Sequence, residues 1–219
     1  MTKTIKNNNK SFYDLSPHNF ITSVAEYTGL NSCCDIEIII KHIEFSHKKT
    51  IIDMGAGEGR VIEYLLDKFP GKIFGIEHSK TKYRFLKKKF QDLGSVELIN
   101  DDICNLKGKF DYGIFSWSVF IEFTKQEQRK LIAQLAENIN EKFFIDVPKF
   151  GAVQNFHHLE NKIFTFSKEW GSLSGYILTK EELESLVHNS SFYLEQCISY
   201  ETSSGREREI YVISRLNNA

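Results

Sequence analysis

Residues 51–60, IIDMGAGEGR, have the types and spacing that suit the binding of a ligand. The apolar run ends in Asp53, and Gly55, Gly57 and Gly59 follow at alternate positions. Glycines let a backbone approach a ligand without Cβ clashes, and two of these could adopt positive φ. A strand that ends in an acid and leads through a glycine loop into a helix is typical of a nucleotide-type cofactor site at the carboxyl end of a parallel sheet.

The spacing of the glycines argues against two common nucleotide motifs. The third glycine of the dinucleotide fingerprint G-x-G-x-x-G would fall at position 60, which is Arg60, and no G-K-[ST] follows as in a P-loop. The pattern D-x-G-x-G-x-G instead resembles motif I of the class I S-adenosylmethionine-dependent methyltransferases. This resemblance implies S-adenosylmethionine as the cofactor, with motif I contacts at Asp53, Gly55, Ala56, Gly57 and Gly59.

Acids after the next two predicted strands extend the resemblance. The segment KIFGIEHS places Glu77, followed by His78, where the family has an acid that holds the ribose hydroxyls. An acid at this place also fits NAD binding, so Glu77 alone does not decide the cofactor. The segment INDDICNL offers Asp102 and Ile103 at the adenine, with Asp101 as the other register. A turn acid after a strand is the structural alternative for this pair of positions.

The segment FDYGIFSWSVFIEF resembles motif IV of the family, which implies that Ser116 and Trp117 lie beside the cofactor and the substrate. Enzymes of the family that methylate amino groups of nucleic-acid bases usually carry [DN]-P-P-[YF] at this point, so its absence disfavours amino methylation of DNA. From the N-terminal segment, Tyr13 and Phe20 could cap the cofactor, although core packing also explains Phe20.

Short apolar runs alternate with amphipathic ones, which predicts a parallel sheet covered by helices on both faces. The predicted strands are Thr50–Met54, Lys72–Glu77, Ser95–Asn100, Phe110–Ser116, Lys142–Val147, Phe192–Ser199 and Glu209–Ser214, and the predicted helices include Gly59–Phe69, Ser79–Leu93 and Thr124–Asn140. A capping box of Thr179 and Glu182 begins a further helix. With the resemblance, these elements predict an α/β fold: a Rossmann-like, seven-stranded, mostly parallel sheet with an antiparallel last strand and an N-terminal helical cap.

The length of 219 residues and the 41% hydrophobic content predict one domain. We expect residues 1–10 to be a disordered tail and residues 11–219 to be the methyltransferase domain, with residues 11–48 as the helical cap. Residues 148–178 are too long for an ordinary loop and carry six aromatic side chains, so we expect them to form a substrate lid. These aromatic residues are Phe150, Phe156, Phe164, Phe166, Trp170 and Tyr176.

The charge balance of 28 Lys plus Arg against 29 Asp plus Glu predicts neither a nucleic-acid nor a membrane partner. The basic run from Lys80 to Lys89 is interpreted as a solvated helix face. The N-terminus lacks the apolar stretch of a signal peptide, so we expect a cytoplasmic protein whose 4 cysteines are reduced. The spacing of histidines and cysteines supports no metal site. The oligomeric state is not predicted.

The leading hypothesis is methyl transfer by direct displacement to a small-molecule acceptor. His157 and His158, in the expected lid, are the candidates for a general base, because imidazole titrates near neutral pH. The alternatives are a non-catalytic S-adenosylmethionine-binding module and a methyltransferase that acts on a protein side chain. A nicotinamide-dependent oxidoreductase is disfavoured by Arg60 and by the predicted C-terminal strand pair.

Overall fold

Ten strands lie within residues 2–149 and 158–216, which are the residues that the computed structural model describes. They are β1 (Thr50–Met54), β2 (Lys72–Ile76), β3 (Val96–Ile99), β4 (Phe110–Phe115), β5 (Ile139–Pro148), β6 (His158–Glu160), β7 (Ile163–Lys168), β8 (Gly171–Tyr176), β9 (Phe192–Glu201) and β10 (Glu207–Arg215).

Seven of these strands form the main sheet, in the order β3-β2-β1-β4-β5-β10-β9. Strands β1 to β5 pair in parallel, and β10 runs antiparallel to both of its neighbours. This confirms the predicted Rossmann-like sheet with an antiparallel last strand. The strand order reverses between β1 and β4, and open α/β sheets bind ligands at the carboxyl ends of the strands at such a point.

The central strands are largely apolar because helices cover both faces of the sheet. Ile51 and Ile52 of β1 are both fully buried, and they belong to separate hydrophobic clusters on opposite faces. On β4, Phe115 and Ile114 divide between the same two clusters. Two buried faces explain why this region shows continuous apolar runs rather than alternation.

Seven helices surround the sheet in the described ranges: α1 (Thr2–Leu15), α2 (Phe20–Thr28), α3 (Cys34–Ile39), α4 (Arg60–Leu66), α5 (Lys80–Phe90), α6 (Lys125–Asn138) and α7 (Lys180–His188). The predicted capping box is confirmed at the start of α7, where Thr179 and Glu182 each accept a backbone N–H of the other. Among the described residues, no helix is long and apolar enough to cross a membrane.

We expected residues 1–10 to be a disordered tail. The structure instead has helix α1 from Thr2 onward, so the expectation is wrong for that part. The helix is anchored by the buried side chain of Asn9, whose amide donates to the backbone oxygens of Glu122 and Ser174 at 2.9 and 2.8 Å. These partners are 113 and 165 positions away in the sequence. Local composition could therefore not reveal the contacts that order this segment.

Strands β6, β7 and β8 form a second, three-stranded antiparallel sheet where we expected a lid. Phe164 on β7 is buried in the main core, and Gly175 on β8 packs directly on the backbone of Ile121. This small sheet thus lies against the 3₁₀ helix Val119–Glu122, which follows β4 on the side where ligands bind. Phe150 and Phe156 of the expected lid lie outside the described residues.

Candidate functional site

The glycine loop between β1 and α4 owes its shape to three left-handed backbone conformations. Gly55, Gly57 and Gly59 have φ values of 88°, 57° and 87°, so one more of them than expected has positive φ. The N–H groups of Gly55 and Ala56 both donate to the carbonyl oxygen of Ile76 at the end of β2, at 2.9 and 3.0 Å. The loop is therefore tied across the two strands whose carboxyl ends meet there.

A cavity opens above this loop, and most of the sequence-predicted site residues line it together. The lining includes Asp53, Gly55, Ala56, Gly57, Glu77, His78, Asp102, Ile103, Ser116 and Trp117. Of the predicted cofactor contacts, Gly59 does not line the cavity. It precedes α4, and a Cβ at this position would lie 2.6 Å from the ring of Phe90, so this glycine serves the close packing of α4 and α5.

Asp53 is a buried carboxyl group at the cavity wall, and only 2% of it is exposed. Among the described residues, its side chain accepts no hydrogen bond. Burial raises the pKa of Asp53 to about 7; the charge of Arg60 opposes this rise, and the negative charges of Glu77 and Asp35 add to it. A cationic group in the cavity would supply the partner that this carboxylate lacks.

Glu77 is held in place by backbone donors on both sides. Its Oε2 accepts the N–H of Gly57 at 2.8 Å, and its Oε1 accepts the N–H of Ser79 at 2.7 Å. A carboxylate oxygen has a second acceptor site, so Glu77 remains able to accept from ligand hydroxyls while it orders the glycine loop.

Glu58, inside the loop, joins the loop to α2 and α5. It accepts the N–H and the hydroxyl of Thr22 at 3.1 and 2.7 Å, and it pairs with Lys82 at 2.8 Å. Lys82 is only 2% exposed, although we expected the basic run to which it belongs to face solvent. No sequence motif marks the pairing of Glu58 with Lys82.

Arg60, the residue that excludes the dinucleotide fingerprint, makes a bidentate ion pair with Asp35 of α3. The two nitrogen–oxygen distances are 2.8 and 2.5 Å, and Asp35 is fully buried. Ser116 at the cavity wall also donates to Asp35, at 2.8 Å. Burial alone would raise the pKa of Asp35, but the charge and hydrogen bonds of Arg60, with help from Ser116, lower it overall. Sequence reasoning missed Asp35, because no local motif marks it.

The turn after β4 has an unusual backbone, since Trp117 and Ser118 have φ values of 50° and 70°. The N–H of Trp117 donates to the carboxylate of Asp146 at 2.9 Å. Arg208 of β10 pairs with the same carboxylate at 2.8 Å and donates to the Ser118 hydroxyl at 3.1 Å. A left-handed conformation costs about 1–2 kcal/mol in a non-glycine residue, and these contacts offset that cost.

The N-terminal helices close the cavity from the other side. Tyr13 of α1 and Ile21 of α2 line it, which agrees with the expected capping role of Tyr13, whereas Phe20 packs against Phe12 and Trp170 instead. Glu122 also lines the cavity and accepts a hydrogen bond from the Tyr13 hydroxyl at 2.5 Å. The sequence reasoning missed Glu122, although an acid inside an apolar motif IV segment was a signal that could have identified it.

The two histidine candidates are not located as a catalytic pair. His157 lies outside the described residues. His158 begins β6, but its side chain is outside what the structure describes. The assignment of either as a base stays a prediction.

Comparison with known proteins relates part of the chain to a known family. Residues 51–142 match the family described as a methyltransferase domain. Two curated relatives, each named as a ribosomal RNA small subunit methyltransferase A, come from Persephonella marina (30% identical over 67 residues) and Pelagibacter ubique (26% over 120 residues). The alignments cover 31% and 54% of this chain but only 25% and 45% of these relatives, so the matched part spans less than half of either.

Among solved structures, the fold is similar to that of the 1,6-didemethyltoxoflavin-N1-methyltransferase of Burkholderia thailandensis with bound 1,6-didemethyltoxoflavin and S-adenosylhomocysteine. The TM-score is 0.73 at 13% identity, over 99% of this chain and 91% of that one. Residues 51–142 therefore match a methyltransferase domain, and the chain has the fold of a solved methyltransferase that binds S-adenosylhomocysteine.

The cavity suits S-adenosylmethionine in charge. S-adenosylmethionine carries a sulfonium and an ammonium group, and the cavity wall supplies carboxyl groups that include those of Asp53, Glu77 and Asp102. The loop has little room for side chains, because a Cβ at Gly57 would lie 2.9 Å from Ile21 and one at Gly55 the same distance from Val119. The buried carboxyl of Asp53, with no hydrogen bond among the described residues, suits a cationic ligand.

Proposed function

We propose that this chain transfers the methyl group of S-adenosylmethionine to a small-molecule acceptor by direct displacement. The observation that carries the proposal is the composition of the cavity wall, in which Tyr13 and Ile21 of the N-terminal helices face the glycine loop and the ends of the sheet strands. A site enclosed in this way favours a small acceptor that fits entirely inside the cavity, since a cavity of this kind buries most of a small ligand.

The sequence motifs and the cavity together support an assignment of the cofactor contacts. Glu77 would accept the ribose hydroxyls, Asp102 and Ile103 would lie at the adenine, and the glycine loop with Asp53 would hold the methionine part. Ser116 and Trp117 would separate this part from the acceptor space. The expected lid, residues 148–178, would complete the wall on the side of Tyr13, because β8 packs on α1 through Asn9 and Ser174.

The cofactor supplies an already activated methyl group, so the protein's main task is to align the acceptor and to exclude water. Alignment of the nucleophile within about 3–3.5 Å of the reacting carbon contributes most of the rate in such a reaction. The Asp146 and Arg208 pair contributes here by holding the Trp117–Ser118 turn in one conformation.

A ribosomal RNA acceptor is the second candidate, because the two curated relatives bear that name. Their similarity covers less than half of each relative, and this chain has a formal net charge of -1. Binding to a phosphate backbone generally relies on clustered Lys and Arg, and the cluster on α5 is interpreted here as a solvated helix face. The small-molecule acceptor is therefore the better supported of the two, ahead of a protein side chain or a non-catalytic binding role.

The proposal is tested first by calorimetric titration with S-adenosylmethionine, S-adenosylhomocysteine and NAD. We expect the first two to bind and NAD not to bind. Glu77→Ala should weaken S-adenosylhomocysteine binding by about 2 kcal/mol, roughly 30-fold, because it removes acceptors for the ligand and for the Gly57 N–H. The matched control is Glu97→Ala, an exposed acid on the neighbouring strand β3.

Methyl transfer is then followed with S-adenosylmethionine labelled in the methyl group. The label should enter the low-mass fraction of a cell extract and not purified small-subunit ribosomal RNA. Label in the RNA would move the assignment to the second candidate, and label in protein alone would support the protein acceptor. Failure of S-adenosylmethionine to bind would overturn the function altogether.

A further inference from the structure

We propose that Glu122, hydrogen-bonded to Tyr13, takes the proton from the methyl acceptor, and that the acceptor is a neutral molecule with a reactive N–H or O–H group. This inference rests on the proposed function and makes it more specific. It assigns the general base to a residue after β4 in place of the histidines of the expected lid.

The position of the pair is the first argument. Tyr13 lies on α1 and Glu122 lies on the 3₁₀ helix Val119–Glu122. Both side chains line the same cavity as the glycine loop. The Tyr13 hydroxyl donates to Oε1 of Glu122 at 2.5 Å. Each side chain is partly exposed, and their shared cavity is where an acceptor would meet them.

The pair is also fixed by its surroundings. The backbone oxygen of Glu122 accepts the amide of Asn9, and the same amide donates to the Ser174 oxygen of β8. One buried side chain thus joins the helix that carries Tyr13, the turn that carries Glu122 and the small sheet. A base held in this way is positioned before the acceptor enters, which is what general base catalysis requires.

The electrostatic environment suits a proton acceptor near neutral pH. Burial raises the pKa of Glu122 to about 8; the hydrogen bond from Tyr13 opposes this rise, and the negative charge of Glu77 adds to it. Burial and the charge of Glu122 raise the pKa of Tyr13, so its hydroxyl stays protonated and donates. The ring of His78 lies 6.3 Å from that of Tyr13. The cavity is also lined by the charged or titratable side chains of Asp53, Glu58, Arg60 and Asp102.

The other carboxyl groups of the cavity are less suited to this role. Both oxygens of Glu77 accept backbone N–H groups, and Oδ1 of Asp102 accepts the N–H of Cys104. Asp53 lies at the end of β1 in the motif I loop, where the resemblance places the cofactor. Glu58 accepts the hydroxyl of Thr22 and pairs with Lys82. Glu122 instead accepts the neutral hydroxyl of Tyr13 of α1.

The proton and the electrons balance in this reaction. The acceptor nitrogen or oxygen bonds to the methyl carbon as the carbon–sulfur bond breaks, and that electron pair stays on sulfur. The proton of the acceptor passes to the Glu122 carboxylate, which then releases it to solvent. The products are the methylated acceptor, S-adenosylhomocysteine and one proton, and no further reactant is needed.

The test uses Glu122→Gln, which keeps an oxygen for the Tyr13 hydroxyl but cannot take a proton. The probes are a panel of N–H heterocycles and phenols, with thiophenol as an acceptor that ionises without a base. Transfer to the N–H and O–H probes should fall by about 10²–10⁴-fold, while transfer to thiophenol and S-adenosylhomocysteine affinity stay within about twofold. Glu37→Gln is the matched control, because Glu37 accepts from Tyr64 at 3.2 Å on the exposed surface.

The pH profile separates a base from a residue that only positions the acceptor. In the parent protein, kcat/KM for the N–H and O–H probes should rise with pH up to about 8, and Glu122→Gln should remove this limb. Tyr13→Phe should move the limb to higher pH, because the Tyr13 hydrogen bond lowers the pKa of Glu122.

Three results would overturn the inference. One is an equal loss of transfer to thiophenol and to the N–H and O–H probes, and another is a pH limb that persists in Glu122→Gln. The third is a parent protein that binds S-adenosylmethionine and methylates thiophenol but no N–H or O–H probe, which would leave the proposed function intact. A parent that fails to bind S-adenosylmethionine would instead remove the proposed function.

Discussion

Asp53 is a buried carboxyl group at the cavity wall that lowers the stability of the cofactor-free protein when it ionises. A carboxyl group that is 2% exposed and has no hydrogen bond among the described residues costs free energy when it ionises. Its pKa is about 7 in the fold, against about 3.9 for an exposed Asp. Between these two pH values the folded state holds a proton that the unfolded chain has lost. Stability therefore falls as pH rises from about 4 to about 7.

Asp53→Asn should stabilise the cofactor-free protein more at pH 8 than at pH 5. The difference between the two gains should be on the order of 2 kcal/mol, because the penalty of ionising Asp53 is nearly complete at pH 8 and only partly developed at pH 5. Urea unfolding at both pH values measures it, with the exposed Asp92→Asn as the control. An equal gain in the free energy of unfolding at both pH values would show that burial does not raise the pKa of Asp53.

At the scale of the element, the glycine loop depends on backbone conformations that other residues adopt at a cost. Gly57 has φ of 57°, its N–H is bound by Glu77, and a Cβ would lie 2.9 Å from Ile21 of α2. The loop is therefore a rigid connection between β1 and α4 that also contacts the N-terminal helices. Rigidity at this point is what a cofactor site requires.

Gly57→Val should abolish S-adenosylhomocysteine binding and lower the free energy of unfolding by about 1–2 kcal/mol, the cost of a left-handed non-glycine residue. Calorimetry and urea unfolding measure the two effects. Gly94→Val is the matched control, because nothing lies within 4 Å of its Cβ position and its φ is not in the left-handed range. Unchanged affinity in a folded Gly57→Val protein would argue against the motif I assignment.

At the scale of the whole molecule, a buried ion pair connects the site to the far edge of the sheet. Asp146 of β5 is fully buried and Arg208 of β10 is 4% exposed. Tyr200 of β9 donates to Asp146 at 2.7 Å, and the N–H of Trp117 donates to the same carboxylate. Three strands and the turn at the cavity thus share one carboxylate, so the C-terminal strand pair helps to shape the site.

Arg208→Gln should destabilise the protein by about 3–5 kcal/mol, because it leaves Asp146 buried without a counter-charge. The double variant with Asp146→Asn should lose less, since no unpaired charge remains. Lys149→Gln is the control for an exposed pair on the same strands, and it should cost less than about 1 kcal/mol. Urea unfolding compares the four proteins. A double variant less stable than Arg208→Gln would contradict this account.

The sequence alone determined the main sheet and the position of the cofactor loop. Continuous apolar runs and alternating glycines are local patterns with local physical causes, namely burial on two faces and left-handed backbone. For this reason strand β1 has the predicted bounds and the three glycines have left-handed backbone conformations. The boundary between α6 and β5 was less accurate: the helix ends at Asn138 and the strand begins at Ile139.

Only the tertiary structure determined which distant residues complete the site. Asp35 meets Ser116 across 81 positions, Asn9 meets Ser174 across 165, and Tyr13 meets Glu122 across 109. None of these pairs leaves a periodic or spacing signal in the sequence, because each depends on chain segments that come together only when the sheet has formed. The same long-range contacts anchor the polar N-terminal segment as helix α1 and hold Glu122 at the cavity wall.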